Sequence, residues 1–209
     1  MSTERDQRLQ WIYAASDADD LRERYDVWAA DYDGDLDALQ WQAPQAAAER
    51  CHHVAAPEGE ILDAGCGTGL VGASLAALGH DRIVGFDLSP GMLAKSDARG
   101  VYAELVQGSL LDRLPFEDDR FDCVVAVGVF TFGHVDGSAF AEVARITAAG
   151  GHVVIAFRDD VVDRLGYRVE QQRLIDDDVW ELIEVTEPLA LLHEEGDDVP
   201  MRVWTWRVR

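Results

Sequence analysis

Apolar positions along the chain fall into two alternating kinds of run, and the alternation predicts the fold. Short continuous apolar runs stand at residues 60–64 (EILDA), 82–86 (RIVGF), 102–107 (YAELVQ), 121–127 (FDCVVAV) and 152–157 (HVVIAF). All five read as strands, and the continuous run at 121–127 suits one covered on both sides. Between them, residues 70–78, 89–98 and a segment from Asp136 or Ser138 to 148 read as helices. Ser89-Pro90 supplies an N-cap and a proline at the first helical position, and Gly79, Gly100 and Gly150-Gly151 follow the helix ends. Five strands alternating with helices predict a parallel sheet with right-handed crossovers, which takes ligands at the carboxyl ends of its strands.

The flanks carry other patterns. Residues 1–15 read as a helix with Leu9, Ile12 and Tyr13 on one face and Trp11 nearby, and 16–20 offer N-cap residues for a second helix over 21–39. In that helix Tyr25, Trp28 and Tyr32 share one face, interleaved with Asp26, Asp31 and Asp33. Such a stripe either packs on the domain or closes over a ligand. Pro44 opens a third helix to about 55. After 157 a helix around 163–177 precedes strand-like 180–192 and 202–209, joined by a loop over 194–200, and WTWRV alternates sides like an antiparallel strand. No repeat or linker divides the chain, so 1–209 reads as one domain, with an N-terminal helical lid or cap at 1–56 and an α/β core at 57–209.

Candidate chemistry centres on residues 60–70, EILDAGCGTGL, where the first strand runs into Gly65, Gly67 and Gly69. Glycines let the backbone turn sharply and let a ligand approach its N–H groups. The following helix presents unpaired N–H groups and the positive end of its dipole. About twenty residues on, Asp87 ends the second strand, where a carboxylate can accept from both hydroxyls of a ribose. Turn and acid together predict an adenosine-type cofactor.

Charge narrows the partners. Forty acidic against 18 basic side chains give a formal net charge of −22 and a pI near 4.4, and Lys95 is the sole lysine. That surface repels nucleic acid and anionic membranes. It fits a simply acidic soluble protein or, the favoured reading, adaptation to high salt, where dense carboxylates hold water and their repulsion is screened. Cys51, Cys66 and Cys123 are odd in number and lack C-x-x-C spacing, which argues against disulfides and zinc. The charged start MSTERDQRLQ and the absence of a long apolar run predict a cytoplasmic protein without a membrane span.

With these motifs the chain resembles the class I S-adenosylmethionine-dependent methyltransferases. LDAGCGTG is similar to their motif I, Asp87 in VGFDLSPGML to their ribose-binding acid, LPF-x-x-x-x-FD to the approach to their fourth strand, and AAGGHVVIAF to their fifth. YDVWAADYDGDL, VGVFTFGHV and VWTWRV resemble the branch with the Williams–Beuren-region methyltransferase-like proteins. The resemblance implies a Rossmann-like α/β fold with seven strands in the order 3-2-1-4-5-7-6, strand 7 alone antiparallel, and S-adenosylmethionine as cofactor, leaving S-adenosylhomocysteine. It places the amino end of the methionine moiety at Asp63 and Gly65 within a turn that includes Cys66 and Gly67, the ribose at Asp87 and the adenine against Leu88 and the N–H of Leu110. Ser109 stands where many members have an acid for the adenine amino group, which leaves Ser109, Asp112 or a water in that role. Tyr25 and Tyr32 match lid aromatics, and Val127 lines the site at the end of the fourth strand.

A sulfonium methyl group is already activated, so the enzyme mainly aligns a nucleophile and excludes water. His134, in the loop after strand 4, is the candidate general base, expected to titrate near neutrality, with loop ordering as the alternative. Arg158 either binds an acceptor carboxylate or, as favoured, forms an ion pair with a neighbouring aspartate. Trp11, Tyr13, Phe130 and Arg158 are the candidate acceptor-binding residues, and no metal set stands out. The expected activity is methyl transfer to O, N or S of a small molecule by a monomer or homodimer. A nicotinamide-dependent oxidoreductase and a non-catalytic S-adenosylmethionine-binding protein are the alternatives.

Overall fold

The computed structural model describes residues 4–194 and 197–209. Four helices come first, α1 (Glu4–Tyr13), α2 (Ala18–Trp28), α3 (Tyr32–Ala38) and α4 (Ala43–Val54). The alternating core follows as β1 (Ile61–Ala64), α5 (Leu70–Ala77), β2 (Ile83–Asp87), α6 (Pro90–Arg99), β3 (Glu104–Gln107), β4 (Phe121–Val127), α7 (Ala139–Ile146) and β5 (Thr147–Arg158). The chain then adds α8 (Asp159–Arg164), α9 (Tyr167–Asp176), β6 (Trp180–Val185), β7 (Leu189–Glu194) and β8 (Asp197–Val208).

These strands form one sheet in the order β3-β2-β1-β4-β5-β8-β6, with β7 paired to β8. β1 to β5 are parallel, and β8 is antiparallel to β5, β6 and β7. Burial of both faces explains the apolar runs of β1, β2, β4 and β5, whereas β3 at the sheet edge is only partly buried. Leu62, Val84, Phe86, Val124 and Ile155 point to one core, shared with Phe140 of α7 and Tyr167 of α9. Ile61, Ile83, Cys123, Val125 and Val154 point to the other, closed by Ala47 and Cys51 of α4 and Leu75 of α5. At the far side Trp180, Trp206 and Trp204 stack in series, with ring centroids 5.0 and 5.7 Å apart.

The expected order and the single reversed strand are present, and the differences lie in the flanks. The helix expected over 21–39 breaks after Trp28 and restarts at Tyr32. The helix expected over 163–177 is two helices parted at Gly166, whose φ of +72° ends regular helix. α7 stops at Ile146, and the segment through the Gly150-Gly151 turn already belongs to the irregular start of β5. The sheet holds eight strands among the described residues where seven were expected, and the extra one lies in the tail: 180–192 is split into β6 and β7, and the loop expected over 194–200 is mostly strand, residues 195–196 lying outside the described residues. Pro200 is tolerated in β8 because its pairing with β5 begins only at Met201.

Candidate active site

Sheet order reverses beside β1, between β2 and β4, and the crevice at the carboxyl ends of these strands is where a parallel sheet binds ligands. Gly65 and Cys66 donate N–H bonds to the Phe86 carbonyl at 2.7 and 3.0 Å, tying the turn to β2. Gly65 has φ +78°, and a Cβ there would lie 2.2 Å from Val129 Cγ2, so only glycine fits. Gly67, at φ +54°, would point a Cβ into open space, which leaves room for a ligand against the backbone. Cys66 turns away from that space toward Ser96 Oγ at 3.8 Å, and burial pushes its thiol up.

Two carboxyls frame the turn. Asp87 accepts from the Gly67 N–H through Oδ2 at 2.8 Å and from the Ser89 N–H through Oδ1 at 2.9 Å. Burial raises it to about 6 against the pull of those N–H groups. Asp63 is fully buried, accepts the Tyr102 hydroxyl through Oδ2 at 2.7 Å, and leaves Oδ1 without a partner. Burial raises it to about 7.

A cavity of about 330 Å³ opens above the turn. Tyr25, Tyr32, Gly65, Gly67, Asp87, Leu88, Ser109, Leu110, Val127 and His134 line it, whereas Asp63, Cys66 and Asp112 do not. Ser16 and Asp17 add a wall that sequence reasoning treated only as helix capping, a role Asp17 also fills by accepting from Asp20 N–H at 2.9 Å. A second cavity of about 50 Å³ adjoins the first through Tyr25, Tyr32 and Gly128, which line both. Tyr13, Phe130 and Arg158 line the second. Trp11 lines neither: it is 41% exposed beneath the Arg24 guanidinium, outside the place expected for it. Arg158 pairs with Asp160, Nε to Oδ1 at 3.1 Å, in line with the favoured expectation. Trp41 and Met201 of the second cavity come from distant chain positions and carry no local signal.

The N-terminal helices close the top. Tyr25 and Trp28 stack at 5.8 Å and Trp28 meets Tyr32 edge-on at 4.6 Å, so the expected aromatic face survives the break between α2 and α3. Their aspartates are tied to the core. Asp26 accepts from Ser89 Oγ and the Gly91 N–H at 2.5 and 2.9 Å. Asp33 accepts from Thr68 Oγ1 and Arg99 Nη2 at 2.5 and 2.6 Å. Alternation with the aromatics was the one signal for these acids.

His134 differs from its expected chemistry. Its Nδ1 lies 2.6 Å from the Phe132 carbonyl, which only accepts, so Nδ1 carries the proton. Nε2, 2.6 Å from the Tyr25 hydroxyl, is then the acceptor. Burial lowers the imidazole to about 4 instead of leaving it near neutrality, because the cavity withdraws water from the charged form.

Residues 62–155 match the Methyltransferase domain family. Methyltransferase-like protein 27 of Homo sapiens is 35% identical over 207 residues, covering 93% of this chain and 82% of its own. This chain belongs to the class I S-adenosylmethionine-dependent methyltransferases. A chain in the complex between the Haloferax volcanii Trm112 methyltransferase activator and a methyltransferase shares its fold at 21% identity and a TM-score of 0.66, over 88% of this chain and 97% of that one. A TehB-like S-adenosylmethionine-dependent methyltransferase from Corynebacterium glutamicum does so at 22% identity and 0.63, over 88% and 99%. The methyltransferase uses S-adenosylmethionine and leaves S-adenosylhomocysteine, which excludes the nicotinamide reading. The residues present fit that cofactor. Open space faces Gly67, the cavity lies within the range of small-molecule sites, and Asp63 keeps a buried oxygen without a partner at the turn.

Proposed function

We propose that the methyltransferase moves a methyl group to O, N or S of a small-molecule acceptor, working in the cytoplasm as a monomer or homodimer. One observation carries this: the Asp87 and glycine-turn cavity shares a wall with a much smaller apolar cavity, of a size for part of a small molecule. The net charge of −22 adds that a nucleic acid would be repelled.

In this reading Asp87 takes the ribose hydroxyls, Leu88 and Leu110 flank the adenine, Ser109 faces its amino group, and Asp63 with Gly65 holds the amino end of the methionine moiety. Residues 1–56 are the lid. When bound, the cofactor supplies a methyl group on a sulfonium, open to attack without a metal. Tyr25 and Tyr32 exclude water from the space between the cavities and present aromatic faces suited to a cation. His134, held by the Phe132 carbonyl, orients the Tyr25 hydroxyl. Tyr13, Phe130 and Arg158 bound the acceptor.

Calorimetry with S-adenosylmethionine tests the cofactor assignment. Asp87→Ala should weaken binding by the equivalent of two charge-assisted hydrogen bonds, roughly 2–5 kcal/mol. Unchanged affinity in a folded variant refutes the ribose role. S-adenosylhomocysteine formation should follow addition of a metabolite fraction below about 500 Da, within the range of pocket-bound ligands, and formation only with RNA or protein would refute the small-molecule acceptor.

A further inference from the structure

The wall shared by the two cavities holds more chemistry than cofactor binding requires. Apart from its tyrosines the smaller cavity is lined largely by carbon, from Ile12, Leu36, Trp41, Phe130 and Met201 among others. Its volume of about 50 Å³ is well under the roughly 150 Å³ that holds a benzene molecule, so it takes a slender group. Among the described residues its one charged side chain is Arg158, whose guanidinium already meets both Asp160 oxygens, at 3.1 and 3.3 Å. An ammonium entering would find no carboxylate among the described residues of the wall, and a carboxylate would compete with Asp160. Either ion would lose hydration worth several kcal/mol without full compensation. A neutral polar group is better served, because Thr131 lines this cavity and its hydroxyl is buried without a hydrogen-bond partner.

A neutral nucleophile must shed its proton as it is methylated, and the shared wall has a route for it. Tyr25 borders both cavities and its hydroxyl donates to His134 Nε2, so its oxygen lone pairs remain to accept. Around Tyr25 stand the phenols of Tyr13 and Tyr32 and the Asp87 carboxylate, which with burial oppose a lasting tyrosinate. A proton reaching Tyr25 therefore has to be passed on.

We infer that the smaller cavity seats the reacting end of the acceptor, that this end is an uncharged thiol or hydroxyl on a slender body, and that Tyr25, backed by His134, takes its proton. This rests on the small-molecule reading above. As the acceptor atom bonds to the methyl carbon, the carbon–sulfur bond breaks and its electron pair stays on sulfur. The acceptor proton passes to Tyr25 Oη, the Tyr25 proton passes to His134 Nε2, and the imidazolium later releases it to water. The positive charge lost from sulfur reappears on the imidazole, so the buried site never carries two.

Four two-carbon probes separate the acceptor classes: ethanethiol, ethanol, ethylamine and acetate, each given to the full chain with S-adenosylmethionine. S-adenosylhomocysteine should form with ethanethiol or ethanol at least about tenfold faster than with ethylamine or acetate. Tyr25→Phe should lower kcat with ethanethiol about 100-fold, the low end of general-base effects. The loss should be smaller with trifluoroethanethiol, whose fluorines acidify the same S–H. A merely structural tyrosine would cost both thiols equally, and that result overturns the relay. A readout free of turnover is the ¹⁵N spectrum of His134: a proton on Nδ1 is expected, and one on Nε2 overturns it. A protein that binds S-adenosylmethionine but prefers ethylamine or acetate, or transfers to neither the thiol nor the alcohol, sinks this inference alone. Transfer only to macromolecules sinks the small-molecule reading with it.

Discussion

Asp63 at the end of β1 and Asp87 at the end of β2 both hold their protons more tightly than ordinary carboxyls, near 7 and near 6, because burial disfavours their charged forms. The folded chain therefore binds more protons than the unfolded chain between about pH 4 and 7, where free aspartates are already ionised. Their contribution to stability is full below pH 4 and is lost as pH rises through 6 and 7. A cation beside Asp63 reverses the shift, so S-adenosylmethionine binding near pH 6.5 should release protons. Calorimetry in buffers of different ionisation enthalpy reads the number, and Asp63→Asn should reduce it; no release would place the cofactor amino group elsewhere. Asp87 is legible in the sequence because its job depends on strand spacing. The chemistry of His134 is not, because it depends on Phe132 and Tyr25 closing around the ring.

The N-terminal helices are latched by two acids that reach different core elements. Asp26 of α2 binds the first turn of α6, and Asp33 of α3 bridges Thr68 in the glycine turn and Arg99. Removing Asp26 should cost roughly 1–3 kcal/mol, since its oxygen receives both a hydroxyl and a backbone N–H. Asp26→Ala should thus speed hydrogen exchange over residues 18–38 while β1, β4 and β5 keep their protection, and uniform loss across the sheet would argue against a separable lid. The sequence shows the aromatic face and misses the break within it, because residues 29–31 contain neither glycine nor proline and the spacing of Tyr25, Trp28 and Tyr32 continues across. The β7–β8 pairing is missed for a related reason: the polar stretch EEGDDVP reads as loop, and only its pairing with β7 makes strand of most of it.

Across the whole molecule the net charge of −22 means that folding gathers like charges. Surface acids are partly answered by arginines, as where Arg120 bridges Glu60 and Glu104 at 3.0 and 2.7 Å and Arg145 meets Glu142 and Asp118 at 2.8 and 2.6 Å. These pairs are only part-buried and still reach solvent, so each contributes little and most of the repulsion remains. Raising potassium chloride from about 0.1 to 1 M shortens the screening length from about 10 to 3 Å and should raise Tm. A flat response would leave the acidity as a matter of solubility alone. The chain order of strands, the glycine turn and the Asp87 spacing are local facts of covalent sequence, fixed by burial of both sheet faces and by the backbone needs of one turn. Which side chains form the acceptor wall is not local: Tyr13, Tyr25, Phe130, Arg158 and Met201 meet only when five separate segments pack, and packing also sets the protonation of Tyr25 and His134 by removing water.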